Sequence, residues 1–214
     1  MTDNTPHQKI SVAIDVLIFT VEDDTLKIVL VKRNEKPFKD LYALPGVALR
    51  ESETLEEAAE RSVGERTGLK NIFLEQLYTF GAIDRDPRNR TVSVAYYALT
   101  DPEKLIAVHN ADGVSLVPVN EVLAGISPLA FDHREMIDYG RKRLCGKVSY
   151  SGIAFEFVPE EFTLPQLQRV YEILLGEKLY KANFRKMISP LVEETGNMLT
   201  GQAHRPSKLY RRKG

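Results

Sequence analysis

Pro45-Gly46-Val47-Ala48-Leu49-Arg50-Glu51-Ser52-Glu53-Thr54-Leu55-Glu56-Glu57-Ala58-Ala59-Glu60-Arg61-Ser62-Val63-Gly64-Glu65-Arg66-Thr67-Gly68-Leu69 is the stretch on which the fold turns. Thr54 with Glu57 three residues later is a capping box, which satisfies the orphan amides of a helix start. A helix is therefore expected from about Leu55 to Arg66, stopped by Gly68. Positions four apart lie on nearly one face of a helix. Ser62 and Arg66 are such a pair, with Leu55 and Ala59 beside them, while Glu56, Glu57 and Glu60 point away. The pair is expected to face the protein and the glutamates to face water. Gly64 costs about 1 kcal/mol relative to alanine, so helix quality is not the only demand on this segment.

Glu53, seven intervening residues, Arg61, then Val63, Glu65, Gly68 and Leu69 together resemble the Nudix box. In that box Gly, five residues, Glu, seven residues and Arg-Glu-apolar-any-Glu-Glu-any-Gly-apolar hold divalent metal against a nucleoside diphosphate. Three positions depart from it. Val47 stands for the box's glycine, Ser62 for its first helix glutamate and Arg66 for its last. Mg²⁺ is bound by one or two carboxylates plus substrate phosphate and water. This face offers a hydroxyl, a guanidinium and Glu65 alone. Arg66 stays protonated and puts fixed positive charge where the family puts its metal. It can pair with a carboxylate such as Glu53, or grip a phosphate bidentately. The segment is read as a binding pocket without its catalytic metal cluster: Glu53, Arg61 and Glu65 are remnants, and Arg61, Glu65 and Arg66 are taken as effector contacts. No cofactor is expected, and Mg²⁺ matters only if the pocket is an active hydrolase.

The chain of 214 residues is long enough for one large domain or two modest ones, and its 43% hydrophobic content suffices for real cores. Lys and Arg (29) nearly balance Asp and Glu (30), but the charge is uneven: from Lys178 onward nine Lys and Arg face two Glu. A basic end suggests a polyanion partner. The lone Cys145 excludes an intramolecular disulfide and fits a reducing cytoplasm. The polar opening Met1 to Lys9, and an apolar run broken at Asp15, argue against a signal peptide. No stretch approaches a transmembrane helix.

Ile10 to Thr20 and Leu26 to Arg33 read as a strand hairpin around Glu22-Asp23-Asp24. Leu74 to Phe80 and Thr91 to Leu99 read as strands flanking Asp84-Arg85-Asp86-Pro87-Arg88-Asn89-Arg90. That loop is either a solvated tip or a phosphate grip through Arg85, Arg88 and Arg90. Gln76 to Phe80, this loop and Pro128-Leu129-Ala130-Phe131-Asp132-His133 resemble the ADP-ribose-related branch of Nudix proteins. Ser115 to Val119 is a further strand, and Asn120 begins a short helix. Asp132 is expected to N-cap a helix to about Leu144, with His133 packing or contacting backbone rather than acting as a base. The charged part of this helix, Arg134 to Arg143, is the candidate junction between domains, taken as 1–148 and 149–214.

In the second domain Ile153 to Val158 alternates as a strand. Thr163 caps a helix from Leu164 to Leu175, with Pro165 where its missing N–H costs least, and Gly176 ends it. A second helix runs from about Lys181 to Ile188, and strands Leu191 to Thr200 and Ser207 to Arg211 follow. Helix, tight turn, helix and β-hairpin make a winged helix-turn-helix. Phe184, Met187 and Ile188 are expected inward, leaving Lys181, Asn183, Arg185 and Lys186 to read base edges. Arg205, Lys208, Arg211 and Arg212 lie in or beside the wing, for phosphate.

An α+β chain, an α/β/α Nudix sandwich followed by a winged helix-turn-helix, resembles the Nudix-related transcriptional regulators of the NrtR family along nearly its whole length. The resemblance implies a homodimeric, cytoplasmic repressor that binds double-stranded operator DNA of NAD-metabolism genes and senses ADP-ribose or a related nucleotide. Some relatives control sugar catabolism, which would imply a sugar-derived effector. The competing readings are an ADP-ribose pyrophosphatase with an appended winged helix and a nucleotide-binding adaptor that binds no DNA.

Overall fold

The computed structural model describes residues 9–105, 113–199 and 206–213. A long apolar run makes β1 (Ser11–Glu22) the spine of a seven-stranded mixed sheet. It lies antiparallel to β2 (Thr25–Lys32) and parallel to β6 (Thr91–Leu99), which pairs with β5 (Phe73–Phe80). The short β3 (Tyr42–Ala43) and β7 (Val114–Pro118) both extend from β2, and β4 (Gly46–Ala48) pairs with β1.

Side chains alternate across a strand, so β1 is buried on both faces. Ile14, Val16 and Ile18 pack with Val94, Tyr96 and Ala98 against Ala58, Ala59 and Val63 of α1 (Leu55–Thr67). Leu17 and Phe19 pack with Leu30 and Tyr97 against Met136, Ile137 and Leu144 of α3 (His133–Val148). The short α2 (Val119–Leu123) lies on that second side. Helix, sheet and helix form the sandwich.

The local signals of α1 hold. The Thr54–Glu57 capping box is complete, and Gly68 ends the helix in the left-handed conformation. The start of α3 departs from expectation. Asp132 makes no side-chain cap, because its carboxylate is taken by an arginine from another segment, and the helix runs on to Val148.

At the start of the second domain Gly152–Phe157 is a 3₁₀ helix rather than the expected strand. Ile153, Ala154, Phe155, Phe157 and Val158 are all buried, so of the residues expected to alternate only Glu156 is partly exposed. Next comes α4 (Leu164–Leu175), with a full Thr163–Gln166 capping box and Gly176 at its end, then α5 (Lys181–Ile188) and the hairpin of β8 (Val192–Leu199) and β9 (Ser207–Arg212). The hairpin is tied to α4's approach by reciprocal backbone bonds between Phe162 and Tyr210.

On α5 the core-facing pair is Phe184 and Ile188, four apart. Met187 is 47% exposed, contrary to expectation, because it sits about 100° around the helix from Ile188. The two domains share one apolar core, running from Leu17 and Tyr97 through Ile137 and Leu144 to Phe157, Leu167, Val170 and Ile188. At its edge Arg169 Nε of α4 donates to Asp24 Oδ1, at the β1–β2 turn, at 2.5 Å. Among the described residues no helix is long and apolar enough to cross a membrane.

Candidate functional site: a cationic cleft and a basic helix

Where β1 and β2 meet the Pro45–Ala48 segment, a cleft of about 610 Å³ opens. Its floor is Asp15, the charge that interrupts the apolar run of β1, only 7% exposed. Ser93 Oγ donates to Asp15 Oδ2 at 2.6 Å, and Arg85 Nη2 lies 3.5 Å from the same oxygen. Gly46 permits this approach, since a Cβ there would lie 2.2 Å from Asp15 Oδ1.

Arg85 is the buried cation of the site, its side chain 3% exposed. Its Nε and Nη2 donate to Asp132 Oδ2 and Oδ1 at 2.9 and 2.7 Å. Burial opposes its charge, and Asp132 and Asp15 more than offset that, holding it above an ordinary arginine. His133 Nδ1 accepts the Leu44 N–H at 2.9 Å, which leaves Nε2 to carry the proton 3.7 Å from Asp15. Burial pushes the imidazole below its ordinary value despite Asp15 and Asp132. The backbone role expected for His133 is what the structure shows.

One wall is aromatic and cationic. The Phe131 ring has the Arg33 guanidinium 4.8 Å and the Arg88 guanidinium 5.3 Å from its centroid, with the Phe38 ring edge-on at 4.9 Å. Arg88 donates to both oxygens of Asp86, and this contact keeps Asp86 below the usual carboxylate range. Arg66 also lines the cleft and has no ion-pair partner among the described residues.

Of the six residues expected at the effector, Arg66, Arg85 and Arg88 come together here. The other three do not. Arg61 is a strut: Nε and Nη2 grip Glu53 at 2.9 and 2.6 Å, and Nη2 also reaches Ala48 O at 3.0 Å. Arg61, with the Arg50 N–H, pushes Glu53 down to about 2. Arg90 is spent on the carbonyls of Gly81 and Ala82. Glu65 lies in an adjoining hollow with Lys39 and Arg66.

The expected inward pair is also split. Ser62 is fully buried, with no hydrogen-bond partner for Oγ, whereas Arg66 is exposed at the rim. Glu53 is not Arg66's partner, because Arg61 holds it. Asp15, Arg33, Phe131 and Asp132 were not among the residues expected at the effector, although Phe131 and Asp132 lie in the Pro128–His133 peptide. A lone carboxylate in an otherwise apolar strand was the signal available for Asp15.

Lys181, Asn183, Arg185 and Lys186 are all exposed on α5, and among the described residues their side chains have no partner. The wing differs. Lys208 Nζ lies 2.6 Å from Glu194, Arg211 Nε 2.6 Å from Glu193, and Arg212 3.6 Å from Glu156 and over the Phe155 ring at 5.3 Å. Arg205 lies outside the described residues.

The NUDIX domain model matches residues 11–139, and the NrtR DNA-binding winged helix domain model matches residues 154–212. A relative from Acinetobacter baylyi, named ADPR responsive transcriptional repressor NtrR, is 35% identical over 92% of this chain and 80% of its own. The chain belongs to the NrtR family. The crystal structure of Shewanella oneidensis NrtR complexed with a 27mer DNA superposes on it with a TM-score of 0.87 at 37% identity, covering 94% of this chain and 93% of that one. An ADP-ribose pyrophosphatase from Methanocaldococcus jannaschii is 36% identical over 61% of this chain and 73% of its own.

Within this NrtR-family Nudix domain the donor set does not fit a divalent metal. Among the described residues no three His, Cys, Asp or Glu converge on one point. Of the three helix positions that carry glutamate in the box only Glu65 has a carboxylate, and it lies 3.4 Å from Arg61 and 3.9 Å from Arg50. Two cations beside a single carboxylate oppose a third.

Proposed function

We propose that this chain is a DNA-binding transcriptional regulator of NAD-metabolism genes, acting as a repressor. Its Nudix cleft binds ADP-ribose or a related nucleotide as a signal, without metal and without turnover. The observation that carries the reading is the pairing of two cationic surfaces through one core. Arg66, Arg85 and Arg88 line a cleft, no three metal-ligating side chains converge among the described residues, and Lys181, Asn183, Arg185 and Lys186, without side-chain partners among those residues, stand on the helix that enters a groove in such folds. Relatives named for DNA binding and for ADP-ribose response support it.

The cleft takes the diphosphate through arginines, which match phosphate oxygens bidentately and cannot lose their charge. The reading helix takes base edges in the major groove, lysine and arginine on guanine and asparagine on adenine. The active unit is a cytoplasmic homodimer with reading heads about one helical turn of DNA apart, and the domains meet at the end of α3, near residue 148. Effector and DNA are linked, so a coupling of about 1 to 3 kcal/mol alters operator affinity about 5- to 150-fold.

Selection of bound sequences from random duplex DNA, with and without ADP-ribose, tests this. Enrichment of a two-fold-symmetric site whose affinity changes with ADP-ribose is the expected result. No enriched site, or efficient ADP-ribose cleavage with Mg²⁺ or Mn²⁺ that is abolished by Glu65→Ala, overturns it in favour of the hydrolase reading that the archaeal relative represents.

A further inference from the structure

We propose that Asp132 is a two-position coupling residue: it holds Arg85 when the cleft is empty of anion and turns to cap α3 when a ligand phosphate takes Arg85 away. This rests on the functional reading above and names how the cleft drives the winged helix.

Three observations meet at this residue. An aspartate immediately before a helix ordinarily places its carboxylate on the amides of the first turn. Asp132 has that position but not that contact, because both its oxygens are on Arg85, at 2.9 and 2.7 Å. Second, Arg85 is buried at the edge of the cleft, and a phosphate presents the same two-oxygen edge that the carboxylate now supplies. An anion in the cleft therefore competes for the group that restrains Asp132.

Third, the preceding residue is strained. Phe131 has φ +55°, a left-handed conformation that a bulky side chain adopts only when its surroundings impose it. Against its ring lie Arg33 and Arg88, which line the same cleft, Phe38, and the His133 ring with its centroid at 5.3 Å. Drawing those guanidinium groups onto a ligand relaxes Phe131 as Asp132 is freed.

The consequence travels along α3. Asp132 has φ −91° and ψ 15°, whereas capping residues are extended. Capping therefore rotates the backbone at the root of a helix whose Ile137, Leu144 and Val148 share a core with Ile153, Phe157 and Leu167 of the second domain. One carboxylate with two mutually exclusive partners, one of them ligand-dependent, is the two-state element that coupling between distant sites requires.

Asp132→Asn separates the two positions, since asparagine caps as well as aspartate but offers Arg85 no charge. The assay measures affinity for the duplex selected by the wild-type protein, with and without saturating ADP-ribose, alongside calorimetry of ADP-ribose binding. Unliganded Asp132→Asn is expected to bind DNA like liganded wild type, and its response to ADP-ribose to fall below about a fifth of the wild-type factor, against the 5- to 150-fold range of ordinary coupling. ADP-ribose binding is expected to be as tight as in wild type or tighter. Asp132→Ala, which neither pairs nor caps, is expected to lose the response without adopting the liganded DNA affinity. If Asp132→Asn shows no cooperative melt, Asp132→Ser takes its place, because serine caps but cannot span both guanidinium nitrogens. A variant that responds to ADP-ribose by the wild-type factor overturns the switch alone, whereas a wild-type protein that shows no response overturns the functional reading beneath it.

Discussion

The wing holds its own counterions, and releasing them is expected to strengthen DNA binding in a measurable way. Lys208 is 2.6 Å from Glu194 and Arg211 is 2.6 Å from Glu193, across the β8–β9 ladder. Lys208 keeps the Glu194 carboxyl below its usual range, with Tyr210 adding a further hydrogen bond. A cation so paired contributes little to neutralising DNA phosphate, because each phosphate contact must first displace a carboxylate. Glu193→Gln with Glu194→Gln removes two negative charges per protomer and leaves the ladder intact. In a dimer four cations are freed. Each phosphate contact changes the slope of log affinity against log salt by about −0.9, so the double variant is expected to steepen that slope by up to about 4. Fluorescence anisotropy of the selected duplex across a potassium chloride series reads it directly, with tighter binding at low salt and convergence at high salt. An unchanged slope would mean that the wing does not touch the backbone. Weaker binding at every salt would mean that the glutamates themselves hold the wing in its DNA-competent shape.

Glu172 accepts from Gln168 Nε2, the Leu179 N–H and Lys178 Nζ, which push it down to about 2. Glu172→Ala is therefore expected to cost about 2 kcal/mol in urea unfolding. The pH sense follows from a folded value below the unfolded one: Glu172's contribution is complete above about 4.5 and disappears as pH falls toward 2, so the difference between variant and wild type should close on acidification. Gly46→Ala places a methyl 2.2 Å from Asp15 Oδ1 and is expected to cost about 1 to 3 kcal/mol and to weaken ADP-ribose binding, read by thermal melting and calorimetry. Neither effect appears if the β4 segment can move aside. Arg66→Glu restores a carboxylate to the box but leaves Ser62 buried, so ADP-ribose should bind at least about tenfold more weakly, a loss of at least about 1.4 kcal/mol, with no turnover in Mg²⁺; appearance of hydrolysis would show that Ser62 is not what disables the box.

What the sequence revealed was what short stretches decide by themselves. Thr54 with Glu57 and Thr163 with Gln166 satisfy amides within one turn, so both helix starts were legible, as were the stops at Gly68 and Gly176. Ile153 to Val158 misled because alternation in six residues signals a strand only when one set of side chains meets water, and here Ala154 and Val158 are buried along with Ile153, Phe155 and Phe157, leaving only Glu156 partly exposed. Asp132 misled for a tertiary reason, its partner being 47 residues away. The arginines show the limit most plainly. Arg61, Arg66, Arg85, Arg88 and Arg90 look alike in sequence, yet one is a strut, one caps a loop, two are paired at the cleft and one, at its rim, has no ion-pair partner among the described residues. The wing's neutralised cations depended on cross-strand register, Glu193 facing Arg211, which composition does not specify.

The continuous core suggests why this family could turn an enzyme fold into a sensor at small cost. In a chain of two domains joined by a linker, a signal in one leaves the other unmoved unless a new interface is built. Here α3 belongs to both: its first turn meets the cleft through Asp132 and His133, and its later turns pack against the segments that seat α4. A close-packed core transmits displacement rather than absorbing it, so a rotation at residue 132 reappears at α4, and α4 carries α5 through Tyr171 and Phe184, whose rings meet at 5.6 Å. Ser62 and Arg66 bring a hydroxyl and a guanidinium, not carboxylates, to this helix. Sensing requires only that something in the cleft be worth more to Arg85 than Asp132 is.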